Sequence, residues 1–141
     1  MTDAPLVPVS WGELLDKLTI LEIKRERIER PSARANVLRE LELLSAIGAE
    51  ALRRSGVPPL MDELREVNTA LWEIEDAIRE EEERGIFGPE FIGLARSVYM
   101  RNDERAAIKR RINALLGSAL VEEKSYRGAA ETPFMLGPEA A

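Results

Sequence analysis

The stretch LMDELREVNTALWEIEDAIREEEER, Leu60–Arg84, decides the fold. In it Leu60, Leu64, Val67, Leu71, Ile74 and Ile78 follow at spacings of four, three, four, three and four, a heptad seam that puts six apolar side chains on one face of a helix. Such a seam predicts near-parallel packing against a long neighbour, in an antiparallel hairpin or across a dimer. The helix closes on the run Glu80 to Glu83. Carboxylates there oppose the helix dipole, which a solvated face with Arg79 and Arg84 tolerates and a cation or a basic partner would relieve.

The long neighbour follows at once. Gly85 to Pro89 reads as a tight loop, Gly85 ending one helix and Pro89 opening the next. From Phe91 to Leu116 a second long helical pattern begins on Phe91, Leu94 and Val98 and ends on Ile108, Ile112 and Leu115, with Arg101 and Arg105 inside the same stripe. At about 100° per residue, Arg105 and Lys109 lie within about 20° of Val98, and Asn102 within about 40°. Polar groups therefore stand where a core should continue.

Two helices are expected upstream. Ser10 and Glu13 have the S-x-x-E spacing of a capping box and open a helix that runs to about Arg30, before Pro31. Trp11, Leu14, Leu15, Leu18 and Leu21 form its apolar face, and Glu22 and Arg25 fall in the same arc one turn later. Ile20 and Ile23, off that face, predict a second apolar contact to another element or subunit. Ser32 is the expected cap of the next helix, with Val37, Leu38, Leu41, Leu44, Ile47, Ala51 and Leu52 in its stripe and Arg53 and Arg54 at its negative end. Gly56, Pro58 and Pro59 stop it and start the long helix.

The expectation is an all-α chain: a leader over 1–9, a single helical domain over 10–126 and a mobile tail over 127–141. The domain is a four-helix antiparallel bundle or a pair of helical hairpins, with homodimerisation through surplus apolar faces of the first and third helices. Leu6, Val7 and Val9 of the proline-containing leader are expected against a helix, 118–126 as a short further turn, and Phe134, Met135 and Leu136 as a weak docking point in the tail.

Composition narrows the chemistry. The 141 residues suffice for a core without disulfides or metals. Twenty basic against 26 acidic residues, net charge -6, disfavour a nucleic-acid partner. The absence of cysteine and histidine removes thiolate and Ser-His-Asp chemistry, histidine acid-base work and most transition-metal sites. With neither a signal-peptide pattern nor an 18-residue apolar run, membrane insertion is not expected and the cytoplasm is the default address.

Three constellations could carry chemistry. Glu22, Arg25, Glu75, Asn102, Arg105 and Lys109 are polar residues on or beside apolar arcs; gathered between helices, they make either a salt-bridge network or a site gripping phosphate, sugar or carboxylate. Trp72, Asp76 and Arg79 share a flank of the third helix, an aromatic plate beside opposite charges that suits a sugar or nucleobase, or a helix interface. Glu63 with Glu66, and Glu73 with Asp76, echo the acidic pairs with which all-α nucleotide pyrophosphohydrolases hold magnesium. Here both pairs lie on one helix and cannot easily converge on one ion, so no metal ligand is assigned. A glycine-rich phosphate loop is absent, and no cofactor is expected.

Three strings together resemble a known family: VPVSWGELLDKLTILEIKRERI over Val7–Ile28, VNTALWEIEDAIRE over Val67–Glu80 and FGPEFIGLARSVYMRNDERAAIKRRINALLGSALVEEKSY over Phe87–Tyr126. They are similar to bacterial proteins grouped as domain of unknown function family 6165. The family pattern includes Asp16, Lys17, Thr19, Glu22 and Lys24, then Trp72, Glu75, Asp76 and Arg79, then Arg96, Tyr99, Asn102, Asp103, Arg105, Lys109, Arg110 and Asn113. The resemblance implies no activity; its members lie near glycosyltransferase and surface-polysaccharide genes, which implies an accessory role there. The functional expectation is a non-catalytic interaction or small-ligand-binding accessory protein in surface-polysaccharide biosynthesis. The alternative is a small all-α enzyme on a nucleotide or activated sugar, with Glu75 or Asp76 as base or magnesium ligand.

Overall fold

In the computed structural model, the structure describes residues 3–126. Four helices, α1 (Trp11–Arg27), α2 (Pro31–Leu52), α3 (Val57–Arg84) and α4 (Pro89–Leu116), make up the fold, with no strand among the described residues. The heptad seam of α3 packs against α4 in an antiparallel hairpin closed by the loop that the glycine and proline signals marked. Gly85 takes the left-handed conformation at φ 68°, and the Ile86 N–H returns to the Glu81 carbonyl, satisfying acceptors the helix end leaves open.

The ends differ from expectation where proline acts. α1 stops at Arg27, with Ile28 already extended, three residues ahead of Pro31, whose ring and missing N–H would break a helix continued through it. Arg30, not Ser32, is the N-cap residue of α2, and Pro31 takes the first helical position. α3 begins three residues early, at Val57, with both prolines in its first turn. Ser10 accepts the Glu13 N–H at 3.1 Å, half of the capping box, while the Glu13 carboxylate turns to Lys109. The leader does not lie on a helix: Leu6 is 96% exposed and Val7 71%. Residues 118–126 form an extended strap, not a turn. The tail, including Phe134, Met135 and Leu136, lies outside the described residues.

α1 is the central helix. Leu14, Leu15, Leu18 and Leu21 are buried, and so are Gly12, Asp16, Thr19 and Ile23 on a second stripe. One side meets α2, where a Cβ added at Gly48 would lie 3.0 Å from Leu18 Cδ1; the other meets the α3–α4 hairpin. The core joins Leu15, Leu18 and Leu21 to Val37 and Leu41 of α2, to Val57, Leu60, Leu64, Val67 and Leu71 of α3, and to Ile108 and Ile112 of α4. Each fully buried leucine or isoleucine contributes about 1.5–3 kcal/mol, so this sandwich is the main source of stability.

The expected dimer faces are therefore used within the molecule: Ile23 is buried, Ile20 is partly covered, and the α3 seam is against α4. At about 1.5 Å per residue the 28-residue helices of the hairpin reach about 42 Å, against about 25 Å for the 17 residues of α1. The hairpin outruns its cover. From Trp72 to Arg105 no residue is buried.

Candidate ligand cleft at the root of the hairpin

Where α1 crosses the hairpin, its second stripe fixes the geometry. At Gly12 the two backbones nearly touch: the N–H donates to Asn113 Oδ1 at 2.7 Å, and a Cβ there would fall 2.6 Å from the Lys109 carbonyl oxygen. One turn on, Asp16 is 1% exposed. Arg105 grips its carboxylate with a fork, Nε to Oδ1 at 3.0 Å and Nη2 to Oδ2 at 2.5 Å, and Asn68 Nδ2 donates to Oδ1 at 2.9 Å. Asn68 also donates to Thr19 Oγ1 at 2.8 Å, while the Thr19 hydroxyl donates to the Asp16 carbonyl at 2.7 Å. A buried carboxylate is tolerable only with partners of this kind. The bond to Asp16 pushes the Arg105 guanidinium further above its ordinary value, against the effect of burial.

A second ionic centre lies beside it. Burial alone would lower the Lys109 ammonium, but bonds to Glu13 at 2.7 Å and Glu122 at 2.9 Å overcome that and hold it above the usual lysine value. Lys109 in turn keeps the Glu122 carboxyl below the usual range. Glu122 belongs to the strap, which is anchored where Ser118 Oγ accepts the Trp11 N–H at 3.2 Å and donates to the Leu120 carbonyl at 2.7 Å.

Above this closed network lies an open cleft of about 450 Å³. Trp72, Glu75, Asp76 and Arg79 of α3 line one wall, Asn102 and Arg105 of α4 the other, and Ile20 and Ile23 of α1 the root, with Asn68 and Leu71 also in contact. Trp72 is half-buried and offers an aromatic surface; Glu75, Asp76 and Arg79 are exposed, the last 3.6 Å from Glu75. The arrangement offers stacking, two acceptor carboxylates and a loosely held guanidinium.

Of the six residues predicted from helical phase, Glu75, Asn102 and Arg105 meet at the cleft, with Lys109 one turn further along α4. Glu22 and Arg25 do not. Glu22 accepts from Arg65 Nη2 at 2.9 Å on the outer flank of α3, which raises the Arg65 pKa, and Arg25 is exposed, its carbonyl taking the Arg34 side chain. Glu22 stands about 120° around α1 from Asp16, and the ionic partners that α1 finds on the hairpin pass from α4, at Glu13 and Asp16, to α3, at Glu22 and Arg27. Neither Glu22 nor Glu75 is thus the counterion of Arg105. That role is Asp16's, which phase along the leucine face missed; the signal was Gly12, Asp16, Thr19 and Ile23 at spacings of four, three and four, small and polar residues on a second face. The trio Trp72, Asp76 and Arg79 comes together as one wall of the cleft. One acid of each α3 pair is engaged elsewhere: Glu63 pairs with Arg111 at 3.0 Å and Glu73 with Arg27 at 3.2 Å. Among the described residues no three acids gather to hold a metal, and no helix is long and apolar enough to cross a membrane.

Residues 6–136 match the model of a family of unknown function, DUF6165, and the chain belongs to that family. No curated protein and no solved structure matches it.

Proposed function

We propose that this protein is a non-catalytic accessory protein that binds a small polyhydroxylated ligand, a sugar or sugar nucleotide, in the cleft at the root of the hairpin. The observation that carries this reading is the convergence of Trp72, Glu75, Asp76, Arg79 and Asn102 on one open cleft above a floor whose charges are already paired. A ring stacked on Trp72 leaves hydroxyls facing two carboxylates and a guanidinium, the chemistry by which sugars are held. The non-catalytic part rests on Asp16: the one deeply buried acid among the described residues is 1% exposed and held by the Arg105 fork and the Asn68 amide, out of reach of a substrate proton. Surface-polysaccharide biosynthesis as the setting rests on the family resemblance, and a cytoplasmic address on the sequence. A homodimer belongs to the same proposal, now by way of α2, whose Leu43 and Ile47 stand exposed one turn apart; a monomeric mass in light scattering at micromolar concentration would remove it.

The test is thermal unfolding of wild type and Trp72→Ala with monosaccharides and nucleotide sugars, with and without magnesium. Ligand at about 100 times Kd adds about 2.7 kcal/mol to the native state, a rise of several degrees in Tm. The proposal expects that rise in wild type and its loss in Trp72→Ala. No rise with any compound, or one that survives the substitution, overturns the cleft; magnesium-dependent turnover of a nucleotide sugar overturns the non-catalytic reading in favour of Glu75 or Asp76 as base or metal ligand.

A further inference from the structure

Outward from the cleft the same two helix faces continue for two more turns with nothing on them among the described residues. On α4, stepping back from Asn102 by helical spacing gives Tyr99, Ala95 and Ile92, all exposed, Tyr99 by 54% and Ile92 by 55%. They form a second apolar stripe beside Phe91, Leu94 and Val98, which are themselves only half-buried. On α3, stepping forward from Arg79 gives Glu82 and Glu83. Beyond the cleft wall, residues 80–84 hold four carboxylates against one guanidinium group, a net charge of -3 in a chain whose total is -6. Residues 91–101 of α4 hold two arginines and no acid. The face thus has an apolar α4 side and an acidic α3 side, the acids standing at a helix C-terminus where the dipole disfavours them.

We propose that this distal face of the hairpin is a docking groove for an amphipathic helix of a protein partner, apolar on one side and lysine- or arginine-rich on the other. The charge pattern selects this occupant over a second copy. The apolar side lies on α4 and the acidic side on α3, so two copies laid face to face and tip to tail, the arrangement that keeps their α1 helices apart, set α3 against α3 and repel. A basic helix meets opposite charge along α3 and apolar contact along α4, the helix-in-groove mode read as anchors at i, i+3, i+4 and i+7. The groove and the ligand cleft share a border but no required residue, so each proposal can fail without the other.

Binding is measured by fluorescence anisotropy with a labelled 18-residue leucine–lysine amphipathic helix and an equally charged lysine–serine peptide. The groove expects wild type to bind the leucine–lysine helix at least tenfold more tightly than the lysine–serine peptide. It also expects a loss of tenfold or more in Ile92→Glu/Tyr99→Glu, a smaller loss in Glu82→Lys/Glu83→Lys, and unchanged affinity in Trp72→Ala. Because these side chains are exposed, far-UV circular dichroism of the variants should match wild type. No binding of the leucine–lysine helix, equal affinity for both peptides, or affinity indifferent to Ile92→Glu/Tyr99→Glu overturns the proposal. So does sedimentation showing a wild-type dimer that this double variant converts to monomer, which would assign the face to a second copy.

Discussion

Replacing Arg105 by Met tests whether the Asp16 pair holds α1 against the hairpin. Methionine fills most of the arginine stem but leaves the Asp16 carboxylate, 1% exposed, with only the Asn68 amide as a side-chain donor. Breaking a buried pair from one side costs about 3–5 kcal/mol. The Arg105 side chain is 28% exposed, so water can reach part of the vacated space and a smaller cost, about 2–4 kcal/mol, is expected. At about 2.1 cal/mol/K per residue over a domain of this size, a 3 kcal/mol loss lowers Tm by about 12 °C. The assay is urea unfolding followed by circular dichroism at pH 7, with Arg111→Met as the control. That arginine pairs with Glu63 at the surface, 53% and 44% exposed, and its loss should cost less than about 1 kcal/mol. The double variant Asp16→Asn/Arg105→Met removes the stranded charge and should recover at least about 1 kcal/mol over Arg105→Met. An Arg105→Met cost no larger than that of Arg111→Met, with no recovery in the double variant, refutes the assignment of Asp16 and Arg105 as the joint between α1 and the hairpin.

Three further outcomes follow from the same geometry. Gly12→Ala should destabilise by about 2 kcal/mol or more in urea unfolding, although alanine is the better helix former by about 1 kcal/mol, because its methyl group would meet the Lys109 carbonyl oxygen at 2.6 Å. For the strap, Glu122 has a depressed pKa, so its contribution is present above the ordinary carboxyl range and lost as pH falls through the lowered value. The stability gap between wild type and Glu122→Gln should therefore be constant near neutrality and close toward pH 3, and a gap that widens there contradicts the pairing. Lys109 is raised, so the gap between wild type and Lys109→Met should persist from neutrality up to the ordinary lysine range and shrink as pH climbs through the raised value.

The all-α fold was legible because its signals are local. The α3 seam, the Gly85 to Pro89 loop and the interrupted α4 stripe each depend on neighbours within two turns, and each became the element expected. Helix ends moved by two or three residues, all of them beside Pro31 or the Pro58–Pro59 pair. Less of the site was legible. Periodicity gave the phase of Arg105 and Lys109 correctly but is silent about which helix lies opposite, and α1 packs against both α3 and α4. Glu22 and Asp16 are six residues apart on one helix, yet the first reaches Arg65 and the second Arg105. Trp72, Asp76 and Arg79 needed no partner to be grouped, since a shared flank of one helix suffices, and they stay together in the cleft.

The burial of α1 on two sides also orders events in time. Its contacts with α2 join residues near in sequence, but Gly12 and Asp16 must wait for Asn113 and Arg105, 101 and 89 positions later. At about 5–20 residues per second, a nascent chain carries the small and polar stripe of α1 uncovered for about 5–20 s after α1 itself has been made. During that interval the α1–α2 pair has a ready leucine core on one side and an aspartate facing water on the other. The side of α1 that waits longest for its partners is thus the one that carries Asp16 and Thr19, the less apolar of its two buried faces.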